Sequence, residues 1–110
     1  MLLRTPRFAE RVFTTSERAY CESRGVVAAQ HYAARFAAKE ATLKALQTGW
    51  RGGIRWQDAE IASRDSGAPY LVFHGQVKEL FKESGANAAH LSLSHTSEHA
   101  IAQVILERAE

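Results

Sequence analysis

The feature that most constrains this chain is an alanine-rich stretch from residue 28 to residue 48. Alanine is the strongest helix former, and the larger apolar residues recur at helical spacing, at Tyr32, Phe36, Leu43 and Leu46. Gly49 follows the stretch and is a typical helix stop. The sequence therefore predicts one long helix over residues 28–48.

Shorter elements are predicted on either side of this helix. Thr14 and Glu17 have the spacing of a capping box, and Gly25 is a suitable stop, so residues 14–24 should form a short helix. Residues 76–85 read as a second short amphipathic helix with its apolar residues facing inward, namely Val77, Leu80 and Phe81.

The second half of the chain otherwise has the pattern of strands. Residues 54–75 predict a hairpin about the turn 65–67, and residues 90–107 predict another with its turn near residues 96–99. Residues 49–53 contain three glycines and predict a flexible loop. Helices followed by antiparallel hairpins place the chain in the α+β class, as one domain over residues 1–110.

Composition and charge narrow the classes of function. The 45% hydrophobic and 24% charged residues are ordinary globular values, which argues against disorder. A chain of 110 residues leaves over a third of its unfolded-state surface exposed, so assembly into an oligomer is a natural way to bury more. One cysteine excludes an internal disulfide, and residues 1–8 are too charged for a signal peptide. We therefore expect a cytoplasmic protein that does not cross a membrane.

The net charge is only +2, but arginines crowd the first eighteen residues, at positions 4, 7, 11 and 18. Such a segment suits an acidic partner, protein or nucleic acid, or is simply a solvated helix face. A nucleic-acid-binding module is disfavoured because stacking aromatics at regular spacing and a known fold signature are missing.

Glu40 is the most informative charge in the long helix. At about 100° per residue it lies roughly 40° from Phe36 and roughly 60° from Leu43, which predicts that it shares their apolar face. Lys44 follows one turn later. Two interpretations stay open: a surface ion pair between Glu40 and Lys44, or a site where the carboxylate binds Mg²⁺ and the lysine neutralises phosphates.

The segment "HLSLSH", residues 90–95, alternates strictly, so Leu91, Leu93 and His95 should share one face of a strand. His95 could donate a hydrogen bond to an anion in a cleft, or be a strand-end residue partly in solvent. His90, His95 and His99 have no regular zinc-ligand spacing.

Three blocks of the sequence resemble one family. "RFAAKEATLKALQTGWRGGIRWQDAEI", residues 35–61, is similar to the signature region of the holo-acyl-carrier-protein synthases, small bacterial members of the phosphopantetheinyl transferase superfamily. "FAERVFTTSERAYCESR" and "HLSLSHTSEHAIAQVILE" resemble the same family in the same order. The resemblance runs from about Phe8 to Glu107.

This resemblance implies a cytoplasmic transferase of fatty acid biosynthesis and lipid metabolism. Such an enzyme moves 4′-phosphopantetheine from its co-substrate coenzyme A to a serine of apo acyl carrier protein and releases adenosine 3′,5′-bisphosphate. It also implies a requirement for Mg²⁺, and a homotrimer with each active site in a cleft between neighbouring subunits. The arginine-rich start would then face an acidic carrier protein.

Carried over residue by residue, the resemblance implies that Glu40 is a catalytic Mg²⁺ ligand and that Lys44 lies against the coenzyme A phosphates. Gly49 would leave room for the nucleotide, and His95 would lie on the coenzyme A side of the cleft. The family's opening strand, Gly-x-Asp-x-Val, supplies a second metal-binding aspartate that nothing here matches. The alternative is therefore a catalytically impaired homologue that still binds coenzyme A or carrier protein.

Overall fold

The structure is a computed structural model that describes residues 6–47 and 53–108. It contains four α-helices and four strands among these residues: α1 (Pro6–Val12), α2 (Thr15–Glu22), α3 (Ala28–Ala45), β1 (Ala59–Ser63), β2 (Pro69–Phe73), α4 (Gly75–Glu83), β3 (Ala88–His95) and β4 (Ala100–Glu107). Short 3₁₀ turns occupy Gly25–Val27 and Trp56–Asp58. The predicted loop 49–53 lies outside the described residues except for Gly53.

The capping box predicted for α2 is confirmed. The Thr14 hydroxyl accepts from the Glu17 backbone N–H at 3.1 Å, and Glu17 Oε1 accepts from the Thr14 N–H at 2.8 Å. These two bonds satisfy donors that the first turn of a helix would otherwise leave unpaired. The helix begins at Thr15 and ends at Glu22, close to the predicted bounds.

The long helix is also confirmed, but α3 ends at Ala45 rather than at residue 48. Gln47, two residues on, has φ 57°, a left-handed conformation that stops the helical path. The apolar residues identified in the sequence pack inward: Tyr32 and Leu43 are buried, and Phe36 and Leu46 are half-buried.

Both hairpins are confirmed. In the first, β1 pairs antiparallel with β2 from Ala59↔Phe73 to Ser63↔Pro69, and Gly67 sits at the turn with φ 92°. In the second, β3 pairs with β4 from Ala88↔Glu107 to His95↔Ala100. The described strands form two separate two-stranded sheets. The first strand begins at Ala59 because residues 56–58 form a 3₁₀ turn instead.

Helix α3 packs on β3, β4 and β1, which confirms an α+β fold with a long helix on antiparallel sheet. One buried cluster joins α1, α2 and α3 through Val12, Phe13, Cys21 and Tyr32. A second joins α3, β1 and α4 through Leu43, Ile54, Ala59 and Val77. Trp56 packs against both clusters. None of the described helices is long and apolar enough to span a membrane.

Candidate active site

Glu40, which the sequence places on the apolar face of Phe36 and Leu43, is not among the buried residues of α3 in the single chain. Glu40 is exposed, whereas its neighbour Lys39 is fully buried, at 0% exposure. The buried arc of α3 runs round the helix from Ala34 to Leu43, and its centre lies near Arg35 and Thr42, with Lys39 inside it. Glu40 lies about 60° round the helix from Leu43, the nearest buried residue, and so falls outside the arc.

The charge that α3 does bury is held by an ion pair. Lys39 Nζ lies 2.9 Å from Glu17 Oε1, with both side chains at 0% exposure. The ammonium also donates to the carbonyl oxygens of Trp56, at 3.1 Å, and Ala59, at 2.8 Å. Burial lowers the pKa of Lys39 below its usual value, and the pairing with Glu17 opposes that shift.

Glu40 and Lys44 both lie on the exposed side of α3, one helical turn apart. Among the described residues the structure contains no ion pair within 4 Å between them. The carboxylate and the ammonium are therefore available to an external ligand that carries both a metal ion and phosphates. Gly49, the third candidate in this region, lies outside the described residues.

His95 ends β3 and is half-buried, as predicted from the alternation of residues 90–95. Its Nδ1 lies 3.2 Å from Gln30 Oε1, and its ring meets the His31 ring edge-on with centroids 4.9 Å apart. Burial, followed by the charges of His95, Arg35 and Arg24, lowers the pKa of His31.

A cleft of about 160 Å³ opens beside His95. Its lining includes Tyr20, His31, Arg35 and Pro69. Arg35 is only 3% exposed; it donates to Ser63 Oγ at 3.0 Å and stacks over the Tyr20 ring at 4.2 Å. Its buried Nε has no hydrogen-bond partner among the described residues. A buried donor of this kind, on a permanently charged group, suits an anionic ligand.

The single chain does not bring the candidate residues together. His95 contacts Gln30 and His31 near the start of α3, whereas Glu40 comes about ten residues, and hence roughly 15 Å, further along the helix axis. Either the two ends of α3 act on different parts of one long ligand, or residues from two chains combine.

Glu40 is the candidate metal-binding carboxylate of this region. Within residues 6–47 and 53–108 there is no group of three or more His, Cys, Asp or Glu side chains that could hold a metal. The exposed Glu40 fits a Mg²⁺ ion that takes one carboxylate and completes its shell with phosphate oxygens and water.

Arg35 and Lys39 were missed in the sequence, and Glu17 was identified there only as the capping residue of α2. The signal was present, because Arg35, Lys39 and Thr42 recur at helical spacing on the face that the structure buries. Two cations on one face of a helix suggest that this face is exposed to solvent. Only the folded structure, in which Glu17 of α2 lies beside Lys39, shows why Lys39 is buried.

Comparison with known proteins identifies the family to which this fold belongs. The family description "4′-phosphopantetheinyl transferase superfamily" matches residues 2–104. A holo-[acyl-carrier-protein] synthase of Koribacter versatilis is 48% identical over 101 residues, 92% of this chain and 80% of the relative. One from Geobacter sp. strain M21 is 50% identical over 99 residues, 90% of this chain and 78% of the relative.

Solved structures agree. The Helicobacter pylori holo-[acyl-carrier-protein] synthase in complex with coenzyme A superposes with a TM-score of 0.77 at 30% identity, covering 92% of this chain and 82% of that one. The Bacillus anthracis synthase in complex with CoA (3′,5′-ADP) gives 0.76 at 36% identity, covering 94% and 82%. The fold is that of a small α+β transferase. The chain belongs to the 4′-phosphopantetheinyl transferase superfamily.

Proposed function

We propose that this chain is a holo-[acyl-carrier-protein] synthase, which transfers 4′-phosphopantetheine from coenzyme A to a serine of apo acyl carrier protein. The observation that carries the proposal is near-50% identity to synthases along about nine-tenths of the chain. That match extends through α3, where Glu40 and Lys44 lie exposed and one turn apart. It favours an active transferase over the impaired binding homologue, and a single domain over residues 1–110.

The proposed transfer reaction uses the negative charge of Glu40 and the positive charge of Lys44. The serine oxygen forms a bond to the phosphorus next to pantetheine, the bond from that phosphorus to adenosine 3′,5′-bisphosphate breaks, and Glu40 accepts the serine proton through a bridging water. Lys44 neutralises the diphosphate as charge moves to the leaving group. Glu40 would hold Mg²⁺, which when bound would supply further charge stabilisation at the phosphate oxygens.

The cleft beside His95 is proposed to take the phosphorylated nucleotide end of coenzyme A. Arg35 offers a buried N–H without a partner among the described residues, and the His31 and His95 rings line the same cleft. A phosphate oxygen would satisfy that donor. Gly49 is proposed to leave room for the nucleotide where α3 leads into the following loop.

A homotrimer would bring Glu40 and His95 together although they are far apart in one chain, because the Glu40 of one subunit would face the His95 of the next. The outer face of the second hairpin supports such an assembly. Ile101 and Ile105 project from it with 66% and 52% of their surface exposed, which is unusual for isoleucine unless another surface covers it.

The carrier protein is proposed to dock on α1 and α2, in the cytoplasm. Arg7 and Arg11 are exposed on α1, and Arg24 is exposed just after α2. Acyl carrier proteins are acidic, so the attraction should raise the association rate and weaken as salt is added.

The test is the intact mass of an apo acyl carrier protein after incubation with the chain, coenzyme A and Mg²⁺. We expect a gain of one phosphopantetheine group with the wild type and with the control Glu83→Gln, whose carboxyl is exposed on α4. We expect no gain with Glu40→Gln. An unmodified carrier with the wild-type chain, while a known synthase modifies it, would contradict the proposal.

A further inference from the structure

We propose that the buried pair Glu17–Lys39 is a positioning device for the metal-binding carboxylate, because it sets the rotation of α3 that presents Glu40. The inference depends on the metal role proposed above for Glu40. It assigns a part in the reaction to two residues that touch neither substrate nor metal.

The ammonium group of Lys39 is held by three hydrogen-bond acceptors from different elements. Its ammonium has three hydrogens, and three oxygens lie within hydrogen-bond distance: Glu17 Oε1 on α2, the Trp56 carbonyl on the 3₁₀ turn and the Ala59 carbonyl on β1. The aliphatic stem is buried with the head, at 0% exposure. Lys39 therefore holds α3 in a defined orientation towards α2 and β1.

Glu17 is fixed as firmly as its partner. Besides Lys39, its carboxylate accepts the Thr14 N–H at 2.8 Å and the Ile61 N–H at 2.7 Å. The first is the capping bond of α2 and the second reaches the middle of β1. One carboxylate thus joins the start of α2, the centre of β1 and the middle of α3.

Stability alone does not explain the pair. Two buried charges are costly to desolvate, and well-packed apolar residues of similar volume often stabilise a fold as well or better. The ion pair also fixes the position of residue 39, and therefore the orientation of α3 immediately before Glu40. A rotation of α3 by about 10° moves an atom about 6 Å from its axis by about 1 Å, and a displacement of that size matters for a site that must hold a metal ion.

The test measures Mn²⁺ binding, as a spectroscopic substitute for Mg²⁺, by electron paramagnetic resonance in the presence of coenzyme A. The variant is the double substitution Glu17→Gln with Lys39→Gln, which removes both charges together and keeps hydrogen-bonding groups at both positions. We expect Mn²⁺ affinity to fall by about tenfold, as for other groups that orient a metal ligand.

Val77→Ala is the matched control. Val77 is also fully buried, but it lies on α4 in the second core cluster. We expect it to lower the melting temperature without changing Mn²⁺ affinity. Glu17→Asp keeps the charge but shortens the side chain by one methylene, and we expect it to weaken Mn²⁺ binding less than the double substitution does.

Glu40→Gln separates this inference from the proposed function. If Glu40→Gln weakens Mn²⁺ binding while Glu17→Asp and the folded double variant leave it unchanged, the positioning role is wrong and the metal role stands. A loss in Val77→Ala as large as in the double variant would also overturn the positioning role. If Glu40→Gln binds Mn²⁺ like the wild type, the metal role itself fails.

Discussion

At the scale of single residues, Glu40 is expected to matter for activity and hardly at all for stability. Its side chain is exposed, and the described part of the chain gives it no ion-pair partner within 4 Å. We predict that Glu40→Ala abolishes carrier modification while changing the free energy of unfolding by no more than about 0.5 kcal/mol. Urea denaturation and the carrier mass measure the two effects. A large loss of stability would mean that the residue is mainly structural.

Cys21 should make the fold sensitive to alkaline pH. Burial, assisted by the nearby charges of Glu17 and Glu22 and opposed by Arg35, raises the pKa of Cys21 from 9.0 to about 12. The unfolded chain therefore loses this proton at lower pH than the folded chain, and stability should fall as the pH rises from about 9 towards 12.

The measurement is the free energy of unfolding in urea between about pH 8 and about pH 10.5, a range that includes the ordinary pKa of a thiol. In Cys21→Ser, which has no thiol to ionise, we predict a shallower decline than in the wild type. An identical pH dependence in both proteins would show that the thiol does not contribute.

At the scale of elements, the start of α4 depends on a glycine. Gly75 has φ 52°, and a Cβ atom added there would lie 2.8 Å from Oδ2 of Asp58, which is itself buried. Gly75→Ala should therefore combine a backbone cost with a steric clash and lower the free energy of unfolding by about 2–3 kcal/mol.

Gly67→Ala is the matched control, because Gly67 also has a positive φ, 92°, but nothing lies within 4 Å of an added Cβ. It should show the backbone cost alone, about 1–2 kcal/mol. Equal losses in the two variants, measured by urea denaturation, would mean that the Asp58 side chain moves aside at no cost.

The elements themselves were largely predictable because local signals fix them. The Thr14–Glu17 spacing located α2, strict alternation located β3, and Gly67 marked the first hairpin turn. These signals act over a few residues and need no tertiary information.

The burial of Lys39 was not predictable in the same way. Its acceptors come from residues 17, 56 and 59, which only the assembled fold brings together. Periodicity therefore assigned the buried side of α3 to Phe36 and Leu43 and placed Glu40 on it. The buried arc instead contains Arg35, Lys39 and Thr42, which the pattern treats as polar. For the candidate site, the sequence singled out Glu40 and Lys44 as candidates, but it did not indicate the buried polar network behind them.

At the scale of the whole molecule, the exposed isoleucines of β4 are predicted to hold the proposed trimer together. The double substitution Ile101→Ser with Ile105→Ser should shift the sedimentation of the protein from trimer to monomer and reduce carrier modification, because apolar burial drives such association. Val26→Ser is the control, since Val26 is fully exposed outside the second hairpin. A wild-type chain that sediments as a monomer, or a double variant that remains a trimer, would contradict this assembly.

The central claim is that the working site combines Glu40 of one subunit with His95 of another, and subunit complementation tests it most directly. Glu40→Gln and His95→Ala chains, each expected to be inactive alone, are unfolded together and refolded as a mixture, and the mass of the carrier protein is followed with time. In a random mixture about one quarter of the interfaces would join an intact Glu40 to an intact His95. We therefore predict that the mixture regains carrier modification at about a quarter of the wild-type rate. A mixture that forms trimers but stays as inactive as either variant alone would contradict the shared site.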